Sequence, residues 1–408
     1  MIYHTHTLPN GLRIIVKPEK SEVVYCGAVI NVGSRDELEN ELGMAHFVEH
    51  LLFKGTTKRS ARQIINQIEN VGGEINAFTS KEETVVYAAV PKQFLVSTIS
   101  LIADIVQNST FPADEFIKEK KVIIDEIESY NDNPSELIFD DFENILYQNQ
   151  PLGHFILGTK RSISRFTPKD VQKFHKRNYT AERIVFFATG DVEMDKVIRS
   201  VESNFILLPS ECPKNQLFTN ANYGNSPNNI VLNKHTHQTH IAIGTLCFNL
   251  FYSERMAMYL LNNLLGGPSM GSRLNLSLRE KYGLVYSVES VFQPFTDNGL
   301  WLVYYACAKH DATFCSDLIY SELKKLKQKA ISDLALKNYK KQLAGQMTIS
   351  SENRENMAIS LGKSYLRYGQ VDSLDDIRKK IDSITAEKLL EIANLVFCED
   401  NFLVLQYE

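Results

Sequence analysis

The sequence predicts an α+β protein built from two structurally similar halves, and three observations predict it. The chain has 408 residues, enough for two cores of about 200 residues each. Strand-like runs interleave with amphipathic helical stretches along it. The second half also repeats the first in degraded form: with Met44-Ala45 laid on Met256-Ala257, Leu52 falls on Leu264 and Gly55 on Gly267.

In chain order, Leu12–Val16 is a strand-like run after the turn residues Pro9-Asn10-Gly11, and Val23–Val32 is an apolar strand closed by Gly33-Ser34. Gly43–Lys54 follows as a helix, residues 60–71 as an amphipathic helix, and 84–90 as a strand. Residues 93–108 and 114–131 are helical, the latter after the start signal Pro112-Ala113-Asp114. Ile184–Thr189 is a short buried strand ended by Gly190-Asp191. Between Leu208 and Asn229 the pattern gives way to Pro, Asn, Ser and Gly, which marks a linker. The expected domains are therefore 1–210, a linker at 211–228, and 229–408. In the second, Thr239–Gly244 precedes the repeated helix as Val23–Val32 precedes the first.

Composition excludes several classes. The chain is 44% hydrophobic and 23% charged, as in ordinary globular proteins, and its net charge of −5 gives no electrostatic reason to bind nucleic acid. No apolar stretch has membrane-spanning length, and the start has neither the build of a signal peptide nor that of a transit peptide. Six scattered cysteines without a C-x-x-C pair suit free thiols in a reducing compartment. A cytoplasmic protein is expected, or a periplasmic one if a leader has been removed.

The chemistry concentrates in His46-Phe47-Val48-Glu49-His50. Histidines at i and i+4 of a helix project from one face, one turn apart, so both can bind one metal ion. Imidazole suits zinc, a carboxylate can supply the third bond, and the fourth position is then left for water, as in hydrolytic rather than structural sites. Glu49 stands where it can take that water's proton. The order His-x-x-Glu-His is the inverzincin signature. Further on, Glu119 and Glu126 lie seven positions apart, two helical turns, and face one way. One can ligate while the other stands behind a ligand and orients it, although a merely solvated helix face would show the same spacing. In the repeat, His46, Glu49 and His50 become Met258, Leu261 and Asn262. One copy kept the metal helix and the other only its fold.

Longer motifs carry a resemblance: Gly43-Met44-Ala45-His46-Phe47-Val48-Glu49-His50-Leu51-Leu52-Phe53-Lys54-Gly55-Thr56, then Gly72-Gly73-x-x-Asn76-Ala77, Pro151-Leu152-Gly153, Leu264-Leu265-Gly266-Gly267, Ser272-Arg273-Leu274 and Arg279-Glu280-Lys281-x-Gly283-Leu284-x-Tyr286-Ser287. The chain resembles the inverzincin metallopeptidases of the pitrilysin, insulysin and mitochondrial processing peptidase type, and looks most like the short bacterial members related to the processing peptidase. It departs from them at Pro268, which interrupts the glycine-rich turn Gly266–Gly271.

The resemblance implies two halves, each a mostly antiparallel sheet packed with helices. It implies His46, His50 and Glu126 as ligands of one Zn2+ per chain, Glu49 as general base, and Glu119 behind the ligands. Asn76 and Ala77 match the edge strand on which a peptide lies as an added β-strand, a mode that gives affinity with loose sequence preference; alone, Asn76 reads as a turn residue. Arg279 and Tyr286 match a pair that holds the substrate carbonyl and its developing oxyanion. The expected function is zinc-dependent endopeptidase action on extended peptides or unfolded segments in a closed chamber. A homodimer is the expected partner state, with neither nucleic acid nor membrane. The alternative is a non-catalytic peptide-binding or core subunit of a larger complex, but such relatives lose a motif residue and none is missing here. His235, His237 and His240 resemble a second metal site only superficially, because the third falls off the strand face that the first two share.

Overall fold

Residues 3–206 and 229–408 are described by the computed structural model, and within them the chain forms two sheets, each covered by helices. The linker expected at 211–228 lies outside the described residues. The first sheet contains β1 (His4–Thr7), β2 (Arg13–Pro18), β3 (Val23–Ile30), β4 (Glu74–Thr79), β5 (Thr84–Pro91) and β6 (Ile184–Gly190), in the order β1-β2-β6-β3-β5-β4. The second contains β7 (Asn229–Leu232), β8 (Thr239–Cys247), β9 (Val285–Pro294), β10 (Gly299–Cys307) and β11 (Leu403–Tyr407), in the order β7-β11-β8-β10-β9.

The duplication is legible in the pairing. In the first sheet β2 runs parallel to β6, and β6-β3, β3-β5 and β5-β4 are antiparallel. In the second, β7 runs parallel to β11, and β11-β8, β8-β10 and β10-β9 are antiparallel. The two topologies are the same, with β1 added to the first.

Alternation along the strands sorts side chains onto two faces. Ile14 and Val16, Cys26 and Ala28, Val86 and Ala88, and Phe186 and Ala188 join the larger core of the first sheet, with the helices Met44–Leu52, Leu95–Asn108 and Ala113–Asn131. Ile15, Val29, Val85, Val185 and Phe187 point the other way and are covered by Ala358, Ile359, Leu361, Tyr365 and Leu366 of the helix Arg354–Tyr368. That helix lies close: a Cβ on Gly362 would come within 2.7 Å of Phe187 and 2.8 Å of Val29. In the second sheet Ile241, Ile243, Trp301, Val303 and Tyr305 pack with the helices Arg255–Gly266, Ala312–Gln328 and Ala386–Val396. Across its other face lies the helix Pro134–Leu146, where Phe139 meets Tyr304 and Asp141 accepts from the Tyr407 hydroxyl at 2.6 Å.

The compact units are therefore discontinuous in sequence. The first takes the chain up to Ser129, the stretch beginning at His154, and Ser351–Asp372. The second takes Tyr130–Gly153, the stretch ending at Ser350, and Ser373–Glu408. Against the continuous segments 1–210 and 229–408, one helix has been exchanged each way. The reason is burial: each sheet has a second apolar face, and the helix that covers it is contributed by the other segment. No helix among the described residues is long and apolar enough to cross a membrane. Cys26, Cys247, Cys307, Cys315 and Cys398 are free thiols.

Candidate metal centre

The centre is built on the helix Met44–Leu52, which buries Met44, Ala45, His46, Phe47, Val48, Leu51 and Leu52. So apolar a helix is central to its unit, and His46, Glu49 and His50 are its polar stripe. Its start is unusual. The preceding Gly43 is left-handed (φ 90°) and has no room for a side chain, because a Cβ would meet the Leu157 carbonyl at 2.7 Å. The free N–H groups are taken from outside: the Glu37 carboxylate accepts from Gly43 N and Ala45 N, both at 2.8 Å. Burial pushes the Glu37 carboxyl well above its usual range, against the pull of those two donors.

The second helix, Ala113–Asn131, faces the core with Phe116, Glu119, Ile123 and Ile127. Phe47 locks the two helices together, its ring meeting that of Phe116 edge-on at 5.1 Å while it also contacts Phe166 at 5.8 Å.

This docking brings the imidazoles to Glu126. Nε2 of His46 lies 3.8 Å from Glu126 Oε1, and Nε2 of His50 lies 3.6 Å from Glu126 Oε2. The ligand atoms of all three lie within 4.8 Å of one another. Tetrahedral ligands at zinc bond lengths sit about 3.3 Å apart; both histidine–Glu126 spacings are within about half an ångström of that, and the widest separation in the set is no more than 4.8 Å. Burial, then the neighbouring His50, holds the His46 imidazole down to about 3, so it is neutral at pH 7 and has a lone pair to give. The donor set therefore fits a divalent zinc ion.

The two rings are supported differently. His50 Nδ1 is 3.1 Å from Glu119 Oε2, and Lys54 Nζ reaches Glu119 Oε1 at 2.7 Å. An ionised carboxylate only accepts, so Nδ1 carries the proton and Nε2 faces Glu126. His46 Nδ1 is buried without a hydrogen-bond partner, so packing alone orients that ring. Glu49 accepts from the Thr79 hydroxyl at 3.0 Å. Burial pushes its carboxyl upward and Glu126 adds to this, while His50 and the Thr79 hydroxyl oppose it.

The other expected residues fall as follows. Asn76 and Ala77 lie on β4, at the edge of the first sheet, and the Asn76 Oδ1 accepts from Ala77 N at 2.8 Å. Arg279 is the penultimate residue of a π-helical turn, Asn275–Glu280, and Tyr286 is the second residue of β9. The guanidinium carbon lies 5.9 Å from the centre of the Tyr286 ring, and Tyr286 as a residue is 84% exposed. In the second unit Met258 and Leu261 are buried, and Asn262, at the position of His50, donates to the Ser290 carbonyl at 2.9 Å. His240 sits 2.9 Å from the Tyr304 hydroxyl. Sequence reasoning missed Glu37, Lys54 and Thr79. Only Lys54 had left a signal, continuing the i, i+4 row of His46 and His50.

Comparison with known proteins agrees with this geometry. Residues 13–160 match the profile described as insulinase (peptidase family M16), and residues 165–343 match that of the peptidase M16 inactive domain. A protein of Rickettsia felis named "uncharacterized zinc protease" is 33% identical over 400 residues, covering 97% of this chain and 95% of its own. The Bacillus subtilis "uncharacterized zinc protease YmxG" is 32% identical, with 98% and 97% covered. Among solved structures, a protease from Helicobacter pylori superposes with a TM-score of 0.90 at 24% identity, covering 100% of this chain and 99% of its own. An M16 inactive domain from Pseudomonas fluorescens gives 0.89 at 20% identity, with 100% and 98% covered. Sequence kinship along nearly the whole length and a shared fold lead to one conclusion: the chain belongs to the insulinase family, peptidase family M16.

Proposed function

We propose that this protein is a zinc-dependent endopeptidase that cuts extended peptides or unfolded segments. The observation that carries the reading is the meeting of His46, His50 and Glu126 within 4.8 Å, one residue away from a half-buried Glu49. A zinc ion held there would supply Lewis acidity and a water that deprotonates near neutral pH.

The chain's own residues do the rest. Glu49 takes the proton of the attacking water and returns it to the leaving amine. Glu119, itself paired with Lys54, keeps the His50 ring in its ligating tautomer. The peptide lies along β4 beside Asn76 and Ala77 as an added strand, in a closed chamber. Arg279 and Tyr286 donate to the carbonyl oxygen as it becomes an oxyanion. We assign the stretch 1–210 the catalytic role and 229–408 that of the repeat carrying the Arg–Tyr pair. The working form is a homodimer in which the metal centre of one protomer works with Arg279 and Tyr286 of the other, in the cytoplasm. An active monomer in sedimentation at assay concentration would remove the dimer from this proposal.

The test is cleavage of a quenched fluorescent peptide by wild type and Glu49→Gln at equal zinc content. Cleavage by the wild type alone supports the enzyme and its base. Zinc binding without cleavage by either protein favours a peptide-binding subunit.

A further inference from the structure

The Glu49 carboxylate is held at one oxygen only. Oε2 accepts from the Thr79 hydroxyl at 3.0 Å, whereas Oε1 has no hydrogen-bond partner among the described residues. A hydroxyl has one proton to give. The other acceptor near Thr79 is the Thr84 hydroxyl, which is farther away at 3.5 Å and commits its own proton to the Val32 carbonyl at 2.9 Å. The Thr79 proton therefore belongs to Glu49. Thr79 is the last residue of β4, paired across the sheet with Thr84. It stands three and two positions after Asn76 and Ala77 on the same edge strand.

We propose that Thr79 is a positioning residue for Glu49, anchoring one carboxylate oxygen so that the other faces the reacting atoms, and tying the base to the strand on which the peptide is laid. The inference rests on the peptidase reading above and goes beyond it. A peptide added to β4 stiffens the strand that carries Thr79, so seating the substrate and aligning the base are mechanically one event. The Thr79 hydroxyl contacts Glu49 and Thr84 and none of His46, His50 and Glu126, so losing it leaves metal binding intact while Glu49 swings among rotamers.

The experiment compares wild type, Thr79→Val, Thr79→Ser and Glu49→Gln on one quenched fluorescent peptide at equal zinc content, with crystal structures of the zinc-free wild type and Thr79→Val. Misplacement of a reacting group by about 1 Å costs roughly a hundredfold in rate. The expected result for Thr79→Val is thus a fall of roughly ten- to a hundredfold in kcat, with KM and zinc content unchanged. Thr79→Ser should recover most of the rate, and Glu49 should spread over several rotamers only in the zinc-free valine variant. Wild-type kcat in Thr79→Val, an equal loss in Thr79→Ser, or an effect confined to KM would overturn the inference while leaving the peptidase reading in place. Full activity in Glu49→Gln, or no cleavage by the wild type, would overturn both.

Discussion

His50 and Glu119 form a hydrogen bond of 3.1 Å between Nδ1 and Oε2, and it divides the labour within the proposed metal centre. A ligand histidine oriented from behind loses affinity when that support is removed, typically about 10- to 100-fold. Glu119→Ala should weaken zinc binding by roughly the upper figure and Glu119→Gln, which keeps an acceptor oxygen, by roughly the lower. Competition titration against a chromophoric chelator measures both. Equal affinity in all three proteins would mean that packing alone orients His50, as it does His46.

Phe47 couples the two helices that carry the proposed ligands. It is fully buried and meets both Phe116 and Phe166. Phe47→Ala should destabilise the protein by about 3–5 kcal/mol and weaken zinc binding as well, because Glu126 is then less firmly docked against the histidines. Urea unfolding with and without zinc separates the two effects.

His175 should make stability depend on pH. Burial holds its imidazole down to about 4, although Nε2 donates to the Val106 carbonyl at 2.8 Å. The unfolded chain takes up its proton near pH 6.5. Between these values the unfolded state binds more protons, so stability rises with pH across that window and is lost as pH falls through it. His175→Gln should flatten the slope in urea titrations of zinc-free protein between pH 4 and 6.5. His46, whose imidazole is also held down by burial, adds a slope of the same sign and the raised carboxyl of Glu37 one of the opposite sign, so the readout is the difference between the two proteins.

Gly362 lets a helix lie directly on the first sheet. A valine there must displace Phe187 and Val29, both fully buried. Overpacking of this kind costs about 1–3 kcal/mol. Gly362→Val should lower the unfolding midpoint by a corresponding amount, and an unchanged midpoint would show that the helix can lift off without penalty.

How legible all this was depended on the range of the interaction. Helices and strands set by local periodicity lie close to where the pattern puts them: 93–108 is Leu95–Asn108, 114–131 is Ala113–Asn131, and 84–90 is Thr84–Pro91. The shared face of His46 and His50 followed from their i, i+4 spacing, the two-turn row of Glu119 and Glu126 left open which of them joins the histidines, and the family resemblance pointed to Glu126, which lies beside both imidazoles. Thr79 and Glu37 were invisible because each reaches the motif helix across a loop or strand register that no spacing encodes. The exchange of helices was hidden for the same reason. Arg354–Tyr368 and Pro134–Leu146 look like any amphipathic helices, and only the second apolar face of each sheet says where they go.

That exchange also sets an order of events during synthesis. Every strand of the first sheet has been made by Gly190, and the last of the three proposed ligands by Glu126, yet the helix covering Ile15, Val29, Val85, Val185 and Phe187 ends only at Tyr368. At ribosomal speeds of about 5–20 residues per second, the intervening stretch takes roughly ten to forty seconds. Throughout that interval the nascent chain holds its proposed ligand residues in helices packed on one face of a sheet whose other apolar face is bare, and exposed apolar surface of that kind is prone to aggregation.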